Sequence, residues 1–83
     1  MHRKSQYIGI MNLKEIGRTI KERRIVLGVN QRTVSELSGV AVNTLVAIER
    51  GDGNPQIITL MDILDTIGLQ FDIKPKVMEY EAV

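Results

Sequence analysis

The sequence predicts a mainly α fold, four to five short helices followed by one short C-terminal β-strand. Three observations carry that prediction. Apolar residues recur at three- and four-residue spacing in four windows between Leu13 and Ile67. Gly28, Gly39, Gly51 and Gly68 close those windows where a helix would have to stop. Beyond them, Leu69-Gln70-Phe71-Asp72-Ile73-Lys74 switches to alternation with period two, the mark of a half-buried strand.

Residues 1–11 show no helical or strand period over their length. They read as an N-terminal arm or, through Tyr7, Ile8 and Ile10, as a short strand. Arg3 and Lys4 alone are a thin basis for a minor-groove arm, and simple disorder is the plainer reading. Asn12 followed by Glu15 has the form of a capping box. The helix it opens spans about Leu13 to Leu27, with Leu13, Ile16, Gly17, Ile20 and Leu27 on one face and Arg24 among them. Gly17 weakens a helix relative to Ala, so its expected use is close approach to another helix.

Asn30 is placed to cap a second helix that has Gln31 and Arg32 in its first turn and ends near Ser38. Val34, Leu37 and Ser38 lie at helical spacing on it. Gly39 redirects the chain and Val40 is an apolar plug for the elbow. A third helix runs from about Val42 to Arg50 and buries Leu45 and Ile48. Ala41 stands where a capping Ser or Thr is expected, an omission costing about 1 kcal/mol. Two short helices joined at a glycine elbow form a helix-turn-helix unit.

The loop Gly51-Asp52-Gly53-Asn54-Pro55 is dense in turn residues. Asn54 is expected to cap a fourth helix with Pro55 in its first position. Leu60, Ile63, Leu64 and Ile67 form its apolar stripe, and Asp62 and Asp65 fall off it as a solvated face. The domain therefore spans residues 12–68, the strand 69–75 and a polar tail 76–83. A lone strand cannot satisfy its own backbone groups. Its partner is either residues 7–10 or the same strand of a second subunit.

Length and composition bound the function. At 83 residues this is one small domain. It has no Cys, which removes disulfides and thiolate metal sites and fits a reducing cytoplasm. No apolar run is long enough to span a membrane, and the N-terminus lacks the apolar stretch of a secretory signal. His2 is the only histidine, and no nucleophile–base pair, phosphate loop or metal-ligand spacing is present. An enzyme, a metal site or a cofactor is not expected. Residues 1–50 carry nine Lys/Arg against four acids, and residues 51–83 two against six. A basic half and an acidic half suggest an anion-facing surface and a separate protein-facing one.

From Leu13 to Phe71 the sequence resembles the phage repressor and Cro (Xre-type, lambda-repressor-like) helix-turn-helix family. The landmarks are NQRTVSEL, SGVAVNTLVAIERG, NP and LMDILDTIGL. RRIVLGVNQ, IERG and the LQFDIK strand are most similar to the HipB-like antitoxins. The resemblance implies a sequence-specific repressor of a palindromic double-stranded operator. It further implies a homodimer joined through Leu69, Phe71 and Ile73, an antitoxin role beside a HipA-like kinase toxin, and autoregulation of the operon. Its DNA-facing positions fall here on Gln31, Arg32, Ala41, Val42, Asn43, Thr44, Val46, Ala47, Arg50 and Asn54. Asn43 has the amide fork that reads adenine, and the methyls of Val42 and Ala47 suit thymine. Related repressors often carry Gln, Lys or Arg at the Val42 and Ala47 positions, so readout here leans on half-site spacing and DNA shape. Arg24 and Glu49 match a buried structural ion pair of the family. The competing class is a protein-interaction module on the same fold without specific DNA binding, favoured by the apolar reading face and the near-zero net charge.

Overall fold

The computed structural model describes residues 12–73 and 75. Four helices follow in order: α1 (Leu13–Leu27), α2 (Gln31–Ser38), α3 (Val42–Arg50) and α4 (Ile57–Thr66). α1 packs on α3, and α2 packs on both α3 and α4. The core they enclose is aliphatic: Ile20, Val34, Val40, Leu45, Ile48, Leu60, Ile63, Leu64 and Ile67. Ile16, Val29, Leu69 and Phe71 pack at its edge. No helix among the described residues is long and apolar enough to cross a membrane.

The helix ends follow local chemistry. Asn12 Oδ1 accepts the Glu15 N–H at 2.8 Å, and Asn30 Oδ1 accepts the Thr33 N–H at 2.8 Å. Only half of the expected capping box forms, because the Glu15 carboxylate pairs with Arg18 one turn on. At the other end of α1, the Val29 N–H reaches Arg24 O at 3.2 Å and the Gly28 N–H reaches Ile25 O at 3.0 Å.

The elbow between α2 and α3 is held by two serines. Gly39 takes φ 78°, a left-handed conformation that costs a side chain strain but costs glycine little. The Ser35 hydroxyl donates to Val40 O, and the Val40 N–H donates to Ser38 Oγ at 3.2 Å. Val40 is thereby held in the core.

Gly17 decides how closely α1 lies on α3. A Cβ at this position would sit against the backbone carbonyl oxygen of Ile48 and 2.9 Å from that of Glu49. Neither is the movable end of a side chain, so a methyl group would force the two helices apart.

Several expectations need correction. Leu13 and Leu27 are exposed rather than packed. They are the first and last residues of α1, outside the stretch that Gly17 and Ile20 bury. Leu37 is 71% exposed. The inward stripe of α2 runs from Val34 to Ser38, four residues on, and leaves Leu37 outside. Asn54 does not cap α4, and Pro55 is not its first residue. The helix starts at Ile57 after an extended Gln56 that makes no side-chain cap bond. The residue before a proline disfavours helical backbone, and the loop stays extended until α4 reaches the core.

The expected strand is not formed among the described residues. Leu69 closes α4, its N–H donating to Leu64 O at 2.8 Å. Leu69 and Phe71 then lie against the core while Ile73 is 95% exposed. A single chain offers this segment no partner strand among the described residues. The proposed pairing with residues 7–10, the arm 1–11 and the tail 76–83 lie outside the described residues.

Gly17→Ala weighs helix propensity against the interhelical contact. Propensity favours Ala by about 1 kcal/mol, but overpacking against immobile backbone costs roughly 1–3 kcal/mol. We expect a net loss of stability, seen as a lower midpoint in thermal unfolding by circular dichroism. An unchanged or raised midpoint would show that α1 can shift outward freely.

Candidate nucleic-acid interface

α3 divides its residues cleanly between core and surface. Leu45 and Ile48 are buried; Ala41, Val42, Asn43, Thr44 and Arg50 are exposed, with Val46 and Ala47 half-buried. Asn43, Ala47 and Arg50 stand at i, i+4 and i+7, one outward stripe along the helix. Ala41 makes no side-chain cap bond, so the first-turn N–H groups of α3 have no side-chain partner from the cap.

Loop residues complete one side of this face. Asn43, Thr44 and Ala47 line a shallow groove with Asp52, Gly53, Asn54 and Pro55 opposite. The structure thus brings Asn54 beside α3. It also places Asp52 there, a carboxylate that sequence reading left unassigned.

The angle between the helices is held by a buried polar network. Arg24 Nε lies 2.7 Å from Glu49 Oε2, and Arg24 Nη2 lies 2.8 Å from Glu49 Oε1. This is a two-pronged pair between α1 and α3, with side chains only 11% and 4% exposed. Arg24 Nη1 also donates to Val29 O at 3.1 Å. The hydrogen bonds Arg24 donates to Glu49, and then the carboxylate's charge, raise the Arg24 pKa above the usual guanidinium value against the effect of burial.

Gln31 joins the same network. Its Nε2 donates to Glu49 Oε1 at 3.0 Å, so its amide nitrogen is committed to α3 rather than held free at the surface. The sequence offers no spacing rule for this bond, since the partners lie 18 positions apart. A second missed tie is Arg23, whose Nε donates to Ile67 O at 2.9 Å and closes the end of α4 onto α1. Arg32, by contrast, is exposed and makes no ion pair among the described residues.

The described residues contain no group of His, Cys, Asp or Glu placed to hold a metal ion. What the site presents is an exposed helix face, uncapped N–H groups, the amides of Asn43 and Asn54, and isolated cations. That combination suits hydrogen-bonded recognition of a polyanion.

Comparison with known proteins agrees with this geometry. Residues 20–74 match the model of the helix-turn-helix family, and the chain belongs to that family. Over 49 residues it is 39% identical to a Haemophilus influenzae protein described as an uncharacterized HTH-type transcriptional regulator. The match covers 59% of this chain and 50% of that relative, so the chain spans about half the length of the curated relative.

Removing one partner of the Arg24–Glu49 pair strands a buried charge, at roughly 3–5 kcal/mol. Arg24→Ala and Glu49→Ala should each melt well below Arg32→Ala, which removes only an exposed cation. Equal melting temperatures for the three variants would show that the pair is solvated in solution.

Proposed function

We propose that this chain is a sequence-specific double-stranded DNA-binding repressor that uses α3 as its recognition helix. The observation that carries this reading is the outward stripe of exposed Asn43, half-buried Ala47 and exposed Arg50, on a helix whose other face is locked into the core. Asn43 supplies a bidentate amide for a base edge, Val42 and Ala47 supply methyl contacts, and Ala41, Thr44 and Val46 border the groove-facing surface. Arg32, Arg50 and Asn54 approach phosphates; Gln31 holds Glu49 and presents its remaining polar atom at the start of α2. The family match and the regulator named above support the same reading. Nothing in the described residues supports an enzymatic reading over it.

The finer reading is a homodimer on a palindromic operator, the antitoxin of a HipA-like kinase toxin that represses its own operon in the cytoplasm. Its support is the resemblance of RRIVLGVNQ, IERG and LQFDIK to HipB-like proteins. The almost fully exposed Ile73, on the segment carrying Leu69 and Phe71, adds a surface that a second copy would cover. The alternative, a protein-interaction module without specific DNA binding, draws support from exposed Val42 on the same face.

A gel-shift titration on the DNA upstream of its own gene separates the two classes. Asn43→Ala should lose about 1–3 kcal/mol of discrimination between that DNA and a scrambled duplex. Arg32→Ala should weaken both duplexes alike and reduce the salt slope by about 0.9. Parent-like binding by both variants would remove α3 docking from consideration.

The dimer has its own test. Leu69 and Phe71 also support the core, so Ile73→Lys is the cleaner probe. It should leave the fold intact and turn a dimeric parent into a monomer in sedimentation at tens of micromolar, roughly the range where weak dimers assemble. A monomeric parent at that concentration would overturn the strand-joined dimer.

A further inference from the structure

The two clefts beside α3 differ in charge. The groove beyond Asn43 is lined by Asp52 and by no basic residue. The second cleft is lined by Asn12, Leu13, Lys14, Glu15, Arg18 and Arg50. Three cations face one carboxylate there, and that carboxylate is already taken by Arg18. Lys14 and Arg50 make no ion pair among the described residues.

Their proximity is built by Gly51. At φ 80° it ends α3, and a Cβ on it would sit 2.8 Å from Lys14 Cα. The backbone at the C-terminal end of α3 therefore touches the first turn of α1, which is possible only without a side chain. Lys14 is brought next to Arg50 by this contact, although the two are far apart in sequence.

We propose that Lys14 and Arg50 together form a phosphate clamp for the DNA backbone at the flank of the α3 face. This rests on the DNA-binding reading given above and adds α1 to the contacting surface. Arg50 closes the stripe begun by Asn43, seven residues and about 10 Å earlier along the helix. At 3.4 Å per step on one strand, that distance is about three base pairs. A base read near Asn43 thus leaves a backbone phosphate within reach of the cleft. Arg18, held by Glu15, walls the cleft and leaves the direct contact to Lys14 and Arg50.

The test uses the full chain and a duplex taken from directly upstream of its coding sequence. Affinity is measured between 50 and 200 mM salt for the parent, Lys14→Ala, Lys14→Glu and Lys21→Ala. Lys21 lies two turns further along α1, outside the cleft, and controls for loss of charge alone. One phosphate contact contributes about 0.9 to the salt slope, which is about a 3.5-fold difference over this fourfold range. Lys14→Ala should therefore lose about 3.5-fold less affinity on raising the salt than the parent does, with its preference for this duplex over a scrambled one unchanged. Lys14→Glu should bind more weakly still, and Lys21→Ala should match the parent. A parent that binds with a salt slope shared by Lys14→Ala, or a Lys21→Ala as affected as Lys14→Ala, overturns the clamp and leaves α3 docking standing. A parent with no salt-dependent binding removes both readings.

Discussion

The bond set around Glu49 is the constraint on which the rest of this domain depends. One carboxylate receives two nitrogens of Arg24 from α1 and the amide of Gln31 from the start of α2. Arg24 spends a further nitrogen on Val29 O in the connection between those helices. Three elements thus meet at one buried charge on α3. Such pairs contribute little net stability compared with a well-packed apolar group, but each partner is costly to lose. Their geometry is directional, whereas aliphatic packing is not. The aliphatic core holds the helices together, and the Glu49 network fixes how they are turned.

Close approach is the second half of that constraint. Arg24 and Glu49 meet at hydrogen-bonding distance only because α1 can lie on α3 with Gly17 at the contact. Gly51 repeats the device at the end of α3, where the first turn of α1 comes against it. The elbow needs no buried ion pair. Ser35 and Ser38 satisfy the Val40 backbone and leave its side chain in the core. With both ends of α3 tied down, its outward stripe is a rigid presentation, which limits the entropy lost when it binds.

Signals that act within a few residues were legible in the sequence. Asn12, Asn30, Gly28, Gly39 and Gly51 mark helix ends because capping is local chemistry, and the three helices they bound match their predicted spans. Leu60, Ile63, Leu64 and Ile67 revealed their core face because periodicity is local too. What failed depended on distance. The start of α4 is set by how far the loop must extend, so Asn54 and Pro55 misled. Leu37 obeys helical spacing but lies beyond the packed stripe, and Leu13 and Leu27 sit at the two ends of α1, outside its buried stretch. The alternation at residues 69–74 reports a segment with one apolar face, not the partner a strand requires; in one chain it serves as a core flap through Leu69 and Phe71. Among candidate site residues, exposure on α3 was readable from period alone, while the commitment of Gln31 to Glu49 was not.

The small chemical repertoire of the α3 face bears on where specificity in the proposed function would come from. A good bidentate amide–base pair is worth about 1–3 kcal/mol, and Asn43 is the one amide on the outward stripe of α3. Two copies in a dimer would supply roughly 2–6 kcal/mol. Specific complexes typically exceed non-specific ones by about 4–10 kcal/mol. Methyl contacts from Val42 and Ala47 would narrow the gap, and the remainder would fall to half-site spacing and DNA deformation. Both depend on placing α3 to within a small tolerance rather than on more base-reading groups. A protein reading DNA with so apolar a face would therefore rely on the stiffness of its scaffold, and the residues that would set its sequence preference include Gly17, Arg24, Gln31 and Glu49, none of which need touch a base.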